Sequence, residues 1–341
     1  IALPGLTIEI GKPELCKEAI KSLIKDLKGP LFPNIGSGNN STYNSVDAPM
    51  WFFWTLQKYA EATDTKNKIW KEYGSKMQLI LNGYREGTEF NIKMMDNGLI
   101  YAGIEGKALT WMDAISNGSA VTPRIGMPVE INALWYNAVM FSLETALMAD
   151  DTEFVINWEP IAQQIPKSFV ETFWSDDKGY LADYVNGDWK DWSVRPNQIF
   201  ATSLDYSPID EMKRQMVIEK VEKELLTTRG LRTLSPKNPK YEGVYYGDQD
   251  TRDKQYHQGT VWPWLFGHFV EGYLKIHGKS GWNKMNWYYE QFEDVMKEHG
   301  IGSISEIYDG DPPHKPVGAI SQAWSVAELL RVGNILKKYK K

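Results

Sequence analysis

The chain has 341 residues, of which 42% are hydrophobic, so it is long enough to bury a large core. Its 38 basic and 44 acidic residues are interspersed and give a net charge of -6, which argues against a nucleic-acid groove. The single cysteine, Cys16, excludes a disulfide framework and cysteine-based metal sites. No apolar run reaches the ~18 residues of a membrane span. We therefore expect a cytoplasmic protein with neither membrane nor nucleic-acid partners.

Long helices make up most of the predicted secondary structure. An amphipathic helix over 13–27 is followed by a Gly-rich loop over 29–44 and by helices over 46–62 and 67–85. Asn97-Gly98 predicts a tight hairpin turn. A loop over 103–128, rich in Gly and Pro, then introduces a helix that is apolar on nearly every side. The remaining predicted helices cover 160–174, a short segment after 195–198, 209–226, 265–276, 282–298 and 321–338.

Two kinds of helix alternate along the chain. Apolar helices are entered through polar loops, and amphipathic helices with charged faces lie between them. This alternation predicts an all-α toroid of two concentric helical layers, with the polar loops gathered at one end of the inner layer. We expect residues 1–341 to form one domain. An open helical solenoid would need a fixed sequence repeat, and the chain has none.

Most catalytic signatures are missing from the sequence, including those of nucleotide-binding, zinc-protease, serine-hydrolase and thiol mechanisms. Two groups of aspartates resemble fragments of calcium loops but lack the downstream bidentate Glu: Asp248, Asp250 and Asp253, and separately Asp309 and Asp311. We therefore expect no metal and no cofactor. His257 could be a ligand or a base, although a histidine beside Tyr256 is more typical of a hydrogen-bonding wall.

Aromatic residues are unusually frequent, with 14 Trp and 18 Tyr, and many stand beside Gly, Pro, Asp or Asn. Such rings stack on the faces of sugars, while filling gaps between helices remains the alternative for any single Trp. Aromatic walls around a pair of carboxylates are the minimum for glycoside hydrolysis.

Asp113 and Glu306 are the candidate pair. Asp113 follows Trp111, whose ring would desolvate the carboxyl and raise its pKa toward that of a useful acid. Glu306 lies 193 positions further on, so only a fold that closes on itself brings the two together. The rival carboxylates are those of Asp309, Asp311, Asp47 and Glu130. For Asp47, near the start of a predicted helix, the more favoured role is to serve the unpaired backbone N–H groups.

Four ordered segments resemble the glycogen debranching enzyme C-terminal, or amylo-α-1,6-glucosidase, family: YNSVDAPMWF, LTWMDAISNGSAVTPRIGMPVEINALWYNAV, YHQGTVWPW and SEIYDGDPPHKPVGAISQAWSVAELL. The resemblance implies a glucoamylase-like (α/α)6 barrel that removes single glucosyl branch stubs from limit dextrin with inversion of the anomeric centre. It also implies Asp113 as general acid and Glu306 as general base. In glucoamylase-like and trehalase-like barrels the acid directly follows the Trp, whereas Met112 intervenes here.

The family also carries a Trp-Gly-Arg-Asp stretch before the segment IALPGL, and this stretch is absent here. The resemblance assigns its Arg and Asp to the terminal sugar. We therefore expect the barrel to lack its first helix or helices. We also expect activity to require an N-terminal domain or fragment of the same enzyme as a partner.

The other residues predicted to bind the α-glucan substrate are Trp111, Arg124, Glu130, Asn132, Arg195, Asn197, Tyr256, His257, Trp262 and Trp324. For Glu130 and Asn132, hydrogen bonding to loop backbone is an equally favoured alternative. Two further functions stay open: an exo-acting α-glucosidase of glucoamylase or trehalase type on the same barrel, and a non-catalytic glucan-binding fragment.

Overall fold

The computed structural model describes residues 1–34 and 41–340, and 54% of it is helical. Residues 35–40 of the predicted Gly-rich loop lie outside the described residues. The α-helices are α1 (Pro13–Lys25), α2 (Ala48–Thr63), α3 (Lys66–Glu86), α4 (Val129–Met148), α5 (Thr152–Phe173), α6 (Phe200–Ser203), α7 (Glu211–Leu225), α8 (Gln249–Gln255), α9 (Leu265–His277), α10 (Trp282–Glu290), α11 (Phe292–Glu298) and α12 (Ala323–Lys340). A π-helical turn covers Pro4–Ile8, and 3-10 turns cover Glu89–Asn91, Pro196–Ile199 and Gly278–Gly281.

Very short strands lie between the helices. They are β1 (Lys93–Met94), β2 (Ile100–Tyr101), β3 (Ile115–Ser116), β4 (Ser119–Ala120), β5 (Met127–Pro128), β6 (Trp174–Ser175), β7 (Tyr180–Leu181), β8 (Tyr184–Asn186), β9 (Trp189–Asp191), β10 (Leu226–Thr227), β11 (Gly230–Arg232), β12 (Val261–Trp262), β13 (Ile307–Tyr308) and β14 (Pro316–Val317). The predicted turn at Asn97-Gly98 is confirmed, because β1 and β2 pair across it and Gly98 has a φ of +80°.

The apolar helices close into a ring. Within the described residues the Pro4–Ile8 turn packs on α2, α2 on α4, α4 on α6, α6 on α9, α9 on α12, and α12 on the turn again. The amphipathic helices lie outside this ring: α1 packs on α2, α3 on α2 and α4, α5 on α4, α7 on α6 and α9, and α10 on α12. Buried apolar side chains of both layers form one continuous cluster. The all-α, two-layered barrel predicted from the sequence is therefore confirmed.

Helix direction places the long loops together. The inner helices α2, α4, α6 and α9 all begin at one end of the ring, and at the opposite end each connects through a short segment, such as 64–65, 149–151 or 278–281, to an outer helix that returns. The long segments 87–128, 174–199, 226–264 and 299–322 directly precede the inner helices α4, α6, α9 and α12, so these segments meet at the end where the inner helices begin. Loops on a rigid scaffold are where function is commonly displayed.

Two small sheets fix these loops against one another. The first runs β10-β11-β12-β13-β14 with every pair antiparallel, and it joins the 226–264 loop to the 299–322 loop through Val261 opposite Tyr308. The second runs β5-β8-β9 and joins the 103–128 loop to the 174–199 loop through Met127 opposite Val185. Chain segments that are remote in sequence are therefore held in register around the loop end.

The start of α5 differs from the prediction. A proline is favoured in the first turn of a helix, so the sequence predicted a start at Pro160. The helix instead begins at Thr152, where the Asp151 side chain accepts a hydrogen bond from the backbone N–H of Phe154 at 3.1 Å. Both Pro160 and Pro166 lie inside the helix. The aspartate cap and the packing on α4 therefore outweigh two prolines.

The described helices include none with the length and apolar character that crossing a membrane requires. The predicted helix over 282–298 is divided into α10 and α11 at Gln291.

Candidate active site

Glu306 lies at the loop end, directly before β13, and its carboxylate is held by three donors. Oε1 accepts hydrogen bonds from the Tyr256 hydroxyl at 2.5 Å and from the Gln322 side-chain amide at 3.2 Å. Oε2 accepts one from the backbone N–H of Ala319 at 2.9 Å. Gly318, at a φ of +71°, allows this approach, because a Cβ there would come within 2.6 Å of Oε2. The carboxylate is thus fixed in position before any substrate binds.

Asp113 stands in the 103–128 loop, with one face open to solvent. The protein atoms around its carboxyl displace water and raise its pKa to about 6, and the negative charges of Asp47 and Glu306 raise it further. Burial also raises the pKa of Tyr256, as do its bond to Glu306 and the charge of Asp113. The Tyr256 hydroxyl therefore bonds one carboxylate of the candidate pair and is affected by the charge of the other.

A cavity of about 460 Å³ opens beside Asp113. Its polar wall carries Asn44, Ser45, Asp47, Thr110, Asp113 and Gln322, the last of which donates to Glu306. Its aromatic wall carries Trp51, Trp111 and Trp324, and apolar side chains complete the lining. Polar groups together with flat rings suit a ligand that has hydroxyls around an apolar face, as a sugar does.

The aromatic wall is backed by a cluster of further rings. Trp111 meets Trp262 and Trp264 edge-on, with ring centroids 5.5 and 5.1 Å apart. Trp324 stacks on Trp264 at 5.2 Å and meets Trp262 edge-on at 5.6 Å. Trp111 also donates from its indole N–H to Asn197 Oδ1 at 2.8 Å. The rings that face the cavity are therefore held rigidly.

His257 is buried in this cluster, where it stacks on Trp262 at 5.3 Å. Burial and the positive charges of Arg195 and Arg124 lower its pKa to about 3, so the ring is neutral at ordinary pH. Neither ring nitrogen has a hydrogen-bond partner among the described residues. It is therefore part of the backing of the site, but the predicted hydrogen bonding of its side chain is not seen.

A buried ion cluster lies beneath the cavity. The Arg124 guanidinium contacts both oxygens of Glu130, one of them at 2.6 Å, and its Nε donates to Asp183 Oδ2 at 2.7 Å. Asn197 donates to Asp183 Oδ1 at 2.7 Å. The Arg195 guanidinium donates to the backbone carbonyl of His257 at 2.8 Å. These side chains join the 103–128, 174–199 and 226–264 loops to one another.

Asn132 is also fully buried, and it serves the backbone. Its amide donates to the carbonyls of Ile100 and Pro128, and its Oδ1 accepts from the N–H of Ile100 at 2.6 Å. Asn132 therefore hydrogen-bonds to loop backbone, which was one of its two predicted roles, whereas Glu130 pairs with Arg124 instead.

Of the predicted substrate-binding residues, the structure brings Trp111, Tyr256 and Trp324 next to the carboxylates or the cavity. It places Arg124, Glu130, Asn132, Arg195, Asn197, His257 and Trp262 in the buried layer behind them.

The rival aspartates are engaged elsewhere. Asp309 accepts from the backbone N–H of Tyr245 at 2.8 Å, and Asp311 from the Tyr241 hydroxyl at 2.9 Å. Asp248 caps α8, and Asp250 pairs with Lys254 at 2.6 Å. Over residues 1–34 and 41–340, no group of three or more His, Cys, Asp or Glu side chains is arranged to hold a metal ion.

Sequence reasoning missed Asp183 and Gln322. Asp183 carries no motif, and its partner Arg124 is 59 positions away. Gln322 stands in the SEIYDGDPPHKPVGAISQAW segment, but nothing in the spacing shows that its amide turns back to Glu306. In both cases the pairing follows from how the loops fold together.

Removing the central charge of the buried cluster should destabilise the fold. We expect Arg124→Ala to lower the free energy of unfolding by about 3–5 kcal/mol, because it leaves the buried Glu130 carboxylate without its cationic partner and removes the nearest cation from Asp183. Denaturant unfolding measures this. The matched control is Lys167→Ala, since Lys167 pairs at 3.8 Å with Glu171 and the two side chains are 81% and 64% exposed. Lys167→Ala should change the free energy of unfolding by no more than about 0.5 kcal/mol. Equal effects of the two substitutions would contradict the structural role of Arg124.

A closed helical barrel of two layers, with an aromatic-walled cavity that Asp113 lines and with Glu306 bonded to the cavity residue Gln322, defines the class of (α/α) barrels. The chain belongs to the amylo-alpha-1,6-glucosidase family, whose match covers residues 1–331. It is similar to the glycogen debranching enzyme of Saccharomyces cerevisiae, at 24% identity over 97% of this chain. The chain spans 28% of the length of that yeast protein.

Proposed function

We propose that this chain is the glucosidase domain of a glycogen-debranching enzyme, which hydrolyses α-1,6-linked glucosyl stubs on an α-glucan by an inverting mechanism. In this proposal residues 1–341 act as one catalytic domain. The observation that carries it is an indole-walled cavity lined by Asp113 and by Gln322, whose amide donates to Glu306 at 3.2 Å. The family match supports the proposed α-1,6 linkage, and the two carboxylates support the proposed acid–base chemistry.

The two carboxylates have different surroundings, and this difference assigns their roles. A carboxyl with a pKa of about 6 is still partly protonated near neutral pH, so Asp113 can deliver a proton to the glycosidic oxygen. Three hydrogen-bond donors fix the orientation of the Glu306 carboxylate. It therefore suits the base that takes a proton from water as the water attacks the anomeric carbon.

Inversion requires that this water fit between the base and the sugar. We expect the carboxyl groups of Asp113 and Glu306 to be roughly 6.5–9.5 Å apart in the complex, since a retaining enzyme would need about 5 Å. The aromatic wall would hold the apolar face of the glucosyl unit, and the polar wall its hydroxyls. Trp111 and Trp324 are the rings that we assign to this contact.

The test is hydrolysis of phosphorylase-limit dextrin by the purified protein, followed by NMR from the first turnovers. We expect glucose to appear first as the β-anomer, because water displaces an α-linkage from the opposite face. Maltose and trehalose, assayed in parallel, should be poorer substrates. Release of α-glucose would contradict inversion, and preference for maltose or trehalose would favour an exo-glucosidase instead. Binding of the dextrin without hydrolysis would identify a glucan-binding module.

A further inference from the structure

Asp47 lines the cavity together with Asp113, and the proposed chemistry does not use it. It stands at the start of α2 on the polar wall and is 8% exposed. Its Oδ1 accepts a hydrogen bond from the Ser45 hydroxyl, and the Trp51 side chain also favours its charged form by hydrogen bonding. A carboxylate removed from bulk water in this way is costly unless it has partners, and the hydroxyls of a ligand in the cavity would add to them.

The ordinary structural explanation for this residue does not hold. An aspartate at a helix start usually accepts hydrogen bonds from the first backbone N–H groups, but the Asp47 side chain makes no such bond to α2. The Ser45 hydroxyl oxygen instead accepts from the N–H of Ala48 at 3.1 Å. The N–H groups of Met50 and Trp51 bond to the backbone carbonyl of Asp47 at 2.9 and 3.0 Å. The helix is thus capped without the Asp47 carboxylate.

Other helices of the same protein show what a capping aspartate does. Asp151, Asp210 and Asp248 accept from the backbone N–H three positions on, at 3.1, 2.9 and 2.9 Å. These three aspartates begin α5, α7 and α8, and none of them lines the cavity. Asp47 differs from them both in its contacts and in its place, because it lines the cavity and leaves the capping of α2 to Ser45.

The groups that act on Asp47 come from several elements. Burial, the largest effect, raises its pKa, whereas hydrogen bonds with the Ser45 and Trp51 side chains lower it. Its negative charge raises the pKa of Asp113 on the 103–128 loop and that of Tyr84 on α3. Asp47 and the proposed acid line the same cavity, so one ligand can contact both.

We propose that Asp47 binds hydroxyl groups of the glucosyl unit on which Asp113 and Glu306 act, as the acceptor that orients this sugar in the cavity. The inference rests on the proposed function. A carboxylate accepts two hydroxyl hydrogen bonds readily, and such charge-assisted bonds are stronger than those between neutral groups. Asp47 is thus a specificity-determining residue for a hydroxyl-rich ring.

Binding of D-glucose, measured by calorimetry, tests this without relying on turnover. We expect Asp47→Asn to weaken glucose binding by about tenfold to a hundredfold. Asp47→Glu keeps the charge but displaces the carboxylate, so it should weaken glucose binding as well. If Asp47→Asn does not fold, Asp47→Glu serves as the test in its place. Asp210→Asn is the matched control, because it changes a capping aspartate at a distance and should leave glucose binding unchanged. Thermal unfolding of each variant confirms that it is folded.

The pH profile of kcat/KM provides a readout that a purely structural role would not move. Removing the Asp47 charge lowers the pKa of Asp113, so the alkaline limb of Asp47→Asn should shift to lower pH, while Asp47→Glu should retain the limb. Unchanged glucose affinity in Asp47→Asn would overturn the inference while the wild-type dextrin assay still supported the proposed function. Wild-type protein that binds glucose through Asp47 but leaves limit dextrin intact would overturn the proposed function alone.

Discussion

Replacing Glu306 with glutamine should lower the rate of glucose release from limit dextrin by about a thousandfold or more. The amide has nearly the shape of the carboxylate, and its single oxygen can keep either the Tyr256 or the Ala319 hydrogen bond, but it cannot take a proton from water. General-base catalysis contributes about 10²–10⁴ in rate, and the carboxylates that line the cavity, Asp113 and Asp47, have other roles in the proposal. Binding of dextrin should be largely retained.

Initial rates of glucose release, with dextrin binding measured separately, check this expectation. The matched control is Glu293→Gln, the same substitution at an exposed position on α11, which should have no effect. Full activity of Glu306→Gln would rule out its role as base. Loss of binding together with loss of rate would instead indicate that Glu306 only shapes the cavity.

Replacing Asp113 with asparagine should be nearly as damaging, but in a way that depends on the leaving group. A sugar alkoxide leaves only with protonation, so hydrolysis of the α-1,6 linkage should fall by about 10²–10⁴. Fluoride needs far less assistance, so α-glucosyl fluoride should remain a good substrate. The ratio of the two rates, compared with the same ratio in wild type and Glu306→Gln, separates the acid from the base. An equal loss on both substrates would contradict the acid role.

The same group should set the alkaline side of the wild-type pH profile. The acid must be protonated to act, and burial raises its pKa to about 6. Activity should therefore fall as the pH rises through about 6, and this limb should be lost from the residual activity of Asp113→Asn.

The assignment of helices to an inner and an outer layer could be predicted from the sequence, because the distribution of apolar residues around a helix determines how many of its sides must be covered. A helix that is apolar all round, such as α4, is stable only where other elements cover every side, and an amphipathic helix such as α1 needs only one covered face. That distinction predicts an inner and an outer layer. The start of α5 could not be predicted in this way, since one side-chain cap competes there with two prolines.

The roles of the buried polar residues of the site were harder to predict than those of the residues that line the cavity. Arg124 and Glu130 stand in a loop and at a helix start, where sequence alone does not show which way a side chain points. Their polarity predicted a ligand pocket, whereas in the structure they join the 103–128 loop and the start of α4 to the 174–199 loop through Asp183. A buried charge requires a partner, but that partner can be another residue of the fold as easily as a substrate.

A crystal structure of Glu306→Gln bound to an oligosaccharide with a single α-1,6-glucosyl stub tests the central claim most directly. We predict that the stub occupies the cavity with its ring against Trp111 or Trp324 and its glycosidic oxygen within hydrogen-bond distance of Asp113. A water molecule should stand between residue 306 and the anomeric carbon. A stub bound elsewhere, or bound in the cavity with its glycosidic oxygen out of reach of Asp113, would contradict the account.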